Sequence, residues 1–164
     1  MCAEFVWGVD PALSKVAFAF AALVGEAVTV ETAVTRTDAR EGERLGLLDR
    51  QVRWQARALA CCYPPSCVWL EQPSGRFRNL QLAYAVGVIA AALYESLGGV
   101  PVFMVAPAAW KVRTVGAGNA SKAQVAAWVE RLGVDVASQD EADAAAIAVA
   151  GRAMVRAGSW EAVA

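Results

Sequence analysis

Residues 4–11 read Glu-Phe-Val-Trp-Gly-Val-Asp-Pro, and this stretch decides the fold. Its continuous apolar run is typical of a strand buried on both faces, and the Asp10-Pro11 pair stops that strand. Residues 15–23 predict a second strand. Residues 27–35 alternate between valines and polar side chains, which predicts an antiparallel strand with one face in water. The chain therefore opens on a meander of three strands.

After the third strand the hydrophobic pattern takes a helical period, which two short apolar runs interrupt. These runs predict buried strands over 68–70 and 100–105. The predicted helices begin at Glu41, cover 79–97, and start at the capping boxes of Ser121 and Ser138, the last one running to about Gly158. This order predicts an α/β fold in a single domain, 1–164, with a five-stranded mixed sheet. Three antiparallel strands are followed by two parallel ones, and helices cover both faces.

Composition excludes several classes of catalyst. The chain contains no histidine, which removes Ser-His-Asp catalysis, Cys-His catalysis and His-ligated zinc. Its four cysteines form no CxxC pair, so we do not expect a zinc site. An enzyme of this composition must use carboxylates, lysines or a carboxylate-bound metal.

Charge and hydropathy set expectations for partners and location. Fifteen Lys and Arg against sixteen Asp and Glu give a net charge of −1, so any DNA-binding surface must be local. The uncharged stretch 79–94 is too short to span a membrane. Glu4 and Asp10 lie where a signal peptide has cations, so we expect a cytoplasmic protein without membrane association.

Four acidic residues stand out because they lie at the ends of elements. Asp10 ends the first predicted strand and Glu71 the fourth. If these strands are parallel neighbours, both carboxylates lie at the edge where open α/β sheets bind ligands. Asp140 and Asp143 lie one turn apart at the start of the last helix and can point to the same edge. Crowded carboxylates are unfavourable by themselves but suit Mg²⁺ or Mn²⁺. The pattern favours two ions, about 3.5–4 Å apart, that hydrolyse a phosphodiester.

Each acid also has a purely structural interpretation. Asp10 before Pro11 suits a turn, and Asp140 suits a helix N-terminus because of the helix dipole. Glu141 is assigned to the Ser138 capping box and is left out of the site. We prefer the metal site because the four acids occur together.

Five motifs, in order over residues 5–152, resemble the RuvC-type Holliday junction resolvases. They are Gly8-Val9-Asp10-Pro11, Leu70-Glu71-Gln72 with Asn79 and Gly87, Trp110-Lys111, Ser121-Lys122-Ala123-Gln124-Val125, and Asp140-Glu141-Ala142-Asp143-Ala144. The resemblance implies an RNase H-like fold, a homodimer, and Mg²⁺-dependent cleavage of four-way DNA junctions that leaves 5′-phosphates. It also implies that the four acids are the catalytic metal ligands. A bacterial member, or a phage-encoded one in a bacterial host, fits, and the sequence specifies no branch-migration helicase.

The few lysines are candidate DNA contacts. The resemblance implies that Lys111 and Lys122 lie near the DNA, where they would contact phosphates as point charges. Lys15 follows Asp10 by five residues, and both a phosphate contact and a solvated surface position remain open for it.

Two further segments have candidate roles in binding. The loop beyond Glu71 contains an aromatic residue between two cations, which suits stacking on an unpaired base or packing under the loop itself; these residues are Arg76, Phe77 and Arg78. The helix over 79–97 is apolar nearly all round, so it is either wholly buried or the contact between two copies in a homodimer.

These observations favour a metal-dependent, structure-selective DNA endonuclease that resolves four-way junctions. Two alternatives remain: an RNase H-like nuclease acting on flaps, forks or RNA, and a non-catalytic junction-binding protein on the same fold. A sugar-kinase-like phosphotransferase is disfavoured because the chain has no Gly-rich phosphate loop and is too short for two lobes.

Overall fold

The computed structural model describes residues 4–34, 41–73 and 80–158, which contain one five-stranded sheet with the order β3-β2-β1-β4-β5. The strands are β1 (Phe5–Pro11), β2 (Lys15–Ala22), β3 (Val28–Val34), β4 (Pro65–Glu71) and β5 (Val102–Val105). Antiparallel pairing joins β1 to β2 and β2 to β3, whereas parallel pairing joins β1 to β4 and β4 to β5. The predicted mixed sheet is confirmed, with β1 at its centre.

Helices lie on both faces of this sheet, as predicted. They are α1 (Glu41–Ala60), α2 (Leu80–Ser96), α3 (Pro107–Thr114), α4 (Lys122–Arg131) and α5 (Gln139–Arg156). Within the described ranges, none of them combines the length and the apolar character needed to cross a membrane.

Alternation along the central strands divides the core into two layers. Trp7 of β1 and Phe18 of β2 belong to the cluster that contains the buried side chains of α1 and α2. Val6 of β1 and Trp69 of β4 point the other way, into the cluster that contains the buried side chains of α3, α4 and α5. Successive strand residues point to opposite faces, so a strand buried on both faces is apolar at every position.

Helix α5 lies unusually close to the central strand. A Cβ atom on Gly8 would be 2.2 Å from the carbonyl oxygen of Ala144 and 2.3 Å from the amide nitrogen of Ala148. The strand and the helix therefore meet backbone to backbone, which only glycine allows at this point. This contact holds the helix that begins beside Asp140 against the strand that carries Asp10.

The main differences from the sequence predictions are the starts of two strands and one additional helix. Strand β4 begins at Pro65 instead of residue 68, and β5 begins at Val102 instead of residue 100. Helix α3 was not predicted. It is only eight residues long, buries only Trp110 among its described side chains, and has no side-chain cap at Ala106, so it lacks the apolar stripe and the start signal of a longer helix. Its one sequence signal is the proline at its first position.

Candidate active site

The pairing of β1 with β4 brings the first two acids together. Val9 pairs with Leu70 in the parallel register, so the next residues, Asp10 and Glu71, lie side by side at the carboxyl ends of the two strands. Both carboxylates are partly buried. The placement predicted for these two acids is therefore the one that the structure has.

The first turns of α5 bring the other two acids to the same edge. The pKa of the Asp10 carboxyl is raised to about 8, chiefly by burial and then, in decreasing order, by the negative charges of Glu71, Asp143 and Asp140. The pKa values of Glu71 and Asp143 are also raised, mainly because both groups are partly buried. The structure thus gathers three carboxylates around that of Asp10, and a cation bound among the four would relieve their mutual repulsion.

Each of the other three carboxylates has a donor beside it. The Trp110 indole nitrogen donates to Glu71 Oε2 at 2.6 Å, and Gln139 Nε2 donates to Asp143 Oδ1 at 2.9 Å. Asp140 forms an ion pair with the Lys15 ammonium group. Among the described residues, no three carboxylate or thiolate groups already surround one point, so a shared cation requires some of these side chains to turn.

The donor set nevertheless fits a hard divalent cation. All four groups offer carboxylate oxygens, which Mg²⁺ and Mn²⁺ prefer, and the described chain places no thiol among them. Partial burial strengthens the attraction of the cluster for a positive charge because less water screens it.

The three lysines lie around this cluster. The Lys122 ammonium lowers the pKa of Asp10, Glu71 and Asp143, though in each case burial raises it more. Lys111 acts on Glu71 and Asp143 in the same way, and its Nζ donates to the Ala120 carbonyl oxygen at 3.1 Å.

Lys15 reaches the site through the hairpin between β1 and β2. The Ala12 amide donates to the Lys15 carbonyl oxygen at 3.0 Å, which closes the turn and brings the lysine back beside the end of β1. Its pKa is raised, chiefly by its hydrogen bond to Asp140. The structure places the Lys15 ammonium group on Asp140 while the lysine side chain is 41% exposed, and a phosphate contact by Lys15 stays a prediction.

Two further expectations from the sequence concern the loop after Glu71 and the capping residue Glu141. The predicted stacking loop of Arg76, Phe77 and Arg78 lies outside the described residues. The Ser138 hydroxyl accepts from the Glu141 amide at 3.3 Å, as the predicted capping box requires. The Glu141 carboxylate accepts from the Ala137 amide at 2.6 Å, one residue before the N-cap.

Sequence reasoning assigned no role to two residues that contact the acids. Gln139 lies four residues before Asp143, and this helical spacing was an available signal. Trp110 was singled out only as part of the Trp110-Lys111 motif, and its contact with Glu71 was not expected because the helix that carries it was not predicted.

Comparison with known proteins gives matches over nearly the whole chain. The model of a family described as crossover junction endodeoxyribonuclease RuvC matches residues 6–151. A crossover junction endodeoxyribonuclease RuvC from Sphingopyxis alaskensis is 32% identical over 152 residues, which cover 88% of this chain and 94% of that protein.

Solved structures of Holliday junction resolvases also match this chain over nearly its whole length. The structure of Thermus thermophilus RuvC matches with a TM-score of 0.74 and 26% identity, over 95% of this chain and 98% of that one. The same protein in complex with a Holliday junction substrate gives a TM-score of 0.77 and 27% identity, over 95% and 97%. A yeast mitochondrial Holliday junction resolvase shares the fold, with a TM-score of 0.60 at 13% identity over 96% and 84%.

Proposed function

The chain belongs to the RuvC family of crossover junction endodeoxyribonucleases, and we propose that Asp10, Glu71, Asp140 and Asp143 perform its cleavage of DNA. By this membership it is a Holliday junction-resolving endonuclease with an RNase H-like fold. The observation that carries the proposal is the gathering of four carboxylates at one sheet edge, with the pKa of Asp10 raised to about 8.

The four acids are proposed to hold two divalent cations, Mg²⁺ or Mn²⁺, in each active site. When bound, such a pair supplies an activated water and compensates the charge on the departing 3′ oxygen. The four acids would hold these cations, and the products expected are a 5′-phosphate and a 3′-hydroxyl. Because the chain has no histidine, a proton must leave through a carboxylate, a lysine or solvent.

The basic residues are proposed to hold the DNA backbone over the acids. The chain has three lysines, Lys15, Lys111 and Lys122, and the charge of each acts on at least one of the four acids. Positive charge near the acids offsets the repulsion that they exert on a phosphodiester. Arg76, Phe77 and Arg78 are proposed to contact unpaired bases at the crossover.

A homodimer is proposed to form through α2. This helix buries one face in the core. On another face, exposed non-charged residues recur at alternating spacings of four and three, namely Leu80, Tyr84, Gly87, Ala91 and Tyr94. Leu80 is 60% exposed and Tyr94 is 54% exposed, which is unfavourable unless a partner covers them. A two-fold pair of subunits suits a two-fold junction because it presents one acid cluster to each of two opposed strands.

The cytoplasm is the proposed location.

A supercoiled plasmid with an extruded cruciform tests both the substrate and the dimer. A dimer that resolves the junction cuts two opposed strands before it dissociates, so Mg²⁺ should convert the plasmid directly to the linear form. A nuclease that prefers flaps, forks or RNA would leave the cruciform intact or only nick it. Mainly nicked or uncut plasmid would therefore contradict the proposal.

The Ala91→Arg variant sharpens this test. An arginine in the exposed face of α2 should convert linear products to nicked circles and shift the protein to monomer in analytical ultracentrifugation. Ala153→Arg is the matched control, since Ala153 is exposed on α5 at the other face of the sheet. A wild-type protein that sediments as a monomer at micromolar concentration yet makes linear products would contradict the dimer.

A further inference from the structure

Trp110 contacts the candidate active site although it is fully buried in the core. Its side chain has 0% exposure and packs in the cluster that includes Trp69 and Phe103. Its single polar atom, Nε1, donates to Glu71 Oε2 at 2.6 Å. An indole has one donor and no acceptor, so this hydrogen bond satisfies its whole polar capacity.

The register of two strands places the indole beside the carboxylate. Glu71 of β4 pairs with Val105 of β5, and the Gln72 amide donates to the Val105 carbonyl oxygen at 2.9 Å. Helix α3 then begins at Pro107, and its first turn brings Trp110 back over the end of β4. The acceptor thus lies on β4, and the donor lies on the helix that begins two residues after β5, the hydrogen-bonded neighbour of β4.

We propose that Trp110 is a positioning residue for the cleavage reaction, which holds the Glu71 carboxylate in one orientation for cation binding. This inference rests on the proposed role of Glu71 as a metal ligand. A donor held in place by the core restricts the rotamers that the Glu71 side chain would otherwise sample. Loss of a hydrogen bond to a metal ligand typically lowers metal affinity by about 10- to 100-fold.

The chemistry of the indole suits this task. It is neutral, so it orients the carboxylate without neutralising the charge that a cation requires. An ionised carboxylate has about four acceptor positions, so one N–H bond leaves capacity for a metal ion. The Lys111 ammonium group also lies over the ring, with its Nζ 5.4 Å from the ring centroid. Trp110 therefore contacts both an acidic and a cationic side chain of the site.

The test is a Trp110→Phe variant, which keeps an aromatic ring in the core and removes the N–H donor. Binding of Mn²⁺ to the DNA-free protein, followed by electron paramagnetic resonance, should weaken by about 10- to 100-fold. The Mg²⁺ concentration that gives half-maximal cleavage should rise, and saturating Mg²⁺ should restore part of the rate. Junction binding in EDTA should not change.

Trp7→Phe is the matched control. Trp7 is equally buried, and its Nε1 donates to the Tyr63 carbonyl oxygen at 2.8 Å, but it faces the α1 and α2 side of the sheet. Both variants lose one hydrogen bond from a buried indole N–H group. If the role of Trp110 is merely structural, the two variants should lose similar stability and neither should change in Mn²⁺ affinity. Replacement of Trp110 by 3-benzothienylalanine, which exchanges the N–H group for sulfur, provides an isosteric variant where phenylalanine disturbs folding.

The outcomes separate this inference from the function on which it rests. If Trp110→Phe and the isostere bind Mn²⁺ as tightly as Trp7→Phe does, Trp110 has no positioning role. In a Glu71→Gln protein, adding Trp110→Phe should not weaken Mn²⁺ binding further, since the tryptophan acts through that carboxylate. If Asp10→Asn also leaves Mn²⁺ binding unchanged, the proposed metal site itself is wrong.

Discussion

Replacement of Asp10 by asparagine should abolish cleavage of a four-way junction, lowering the single-turnover rate by at least about 10³-fold. Asparagine has the same shape but cannot ionise, and position 10 is the one on which Glu71, Asp140 and Asp143 all act. The variant should still bind the junction, since the lysines that approach the phosphates remain. Cleavage is measured with labelled junction in excess Mg²⁺, and binding is measured by gel shift in EDTA.

Stability separates this loss of chemistry from misfolding. The pKa of the Asp10 carboxyl is raised from 3.8 to about 8 in the folded protein, so the stability that its protonated form provides is lost as the pH rises towards about 8. Asparagine keeps this stability, and the metal-free variant should therefore withstand more urea than wild type at pH 8. The control is Asp135→Asn, because Asp135 is exposed. Normal cleavage by Asp10→Asn in Mg²⁺ would contradict the assignment.

Replacement of Gly8 by alanine should cost more than about 3 kcal/mol of folding free energy. The new methyl group would lie 2.2 Å from the Ala144 carbonyl oxygen and 2.8 Å from the Ala148 Cα, and neither backbone atom can move without shifting α5. Any folded fraction should also have lost cleavage, because α5 carries Asp140 and Asp143. Urea unfolding, followed by circular dichroism, measures the loss.

Gly46→Ala is the control for this substitution. Gly46 lies in α1 and a Cβ atom there would meet nothing within 4 Å, so alanine should stabilise the protein by about 0.5–1 kcal/mol. Equal stability of the Gly8→Ala and Gly46→Ala proteins would show that β1 and α5 do not meet as closely as described.

The sequence predicted those parts of the site that depend on strand ends and helix starts. Asp10 and Glu71 follow apolar runs, and parallel pairing of neighbouring strands brings such residues to one edge. Asp140 and Asp143 follow a capping serine, so their place in the first turns of a helix was also predictable.

Contacts between elements were less accessible to sequence analysis. The hydrogen bond from Trp110 to Glu71 depends on the register of β5 with β4 and on a helix too short to show a period. The pairing of Lys15 with Asp140 depends on a hairpin turn and on the position of α5 over it. Neither arrangement leaves a local pattern in the sequence, because each joins residues that are far apart in the chain.

The proposed metal site is tested most directly by crystals grown with Mn²⁺ and measured for anomalous scattering. Two peaks about 3.5–4 Å apart are expected, with bonds to carboxylate oxygens of Asp10, Glu71, Asp140 and Asp143. Manganese bound elsewhere on the surface, with these four side chains left free of it, would contradict the proposed site.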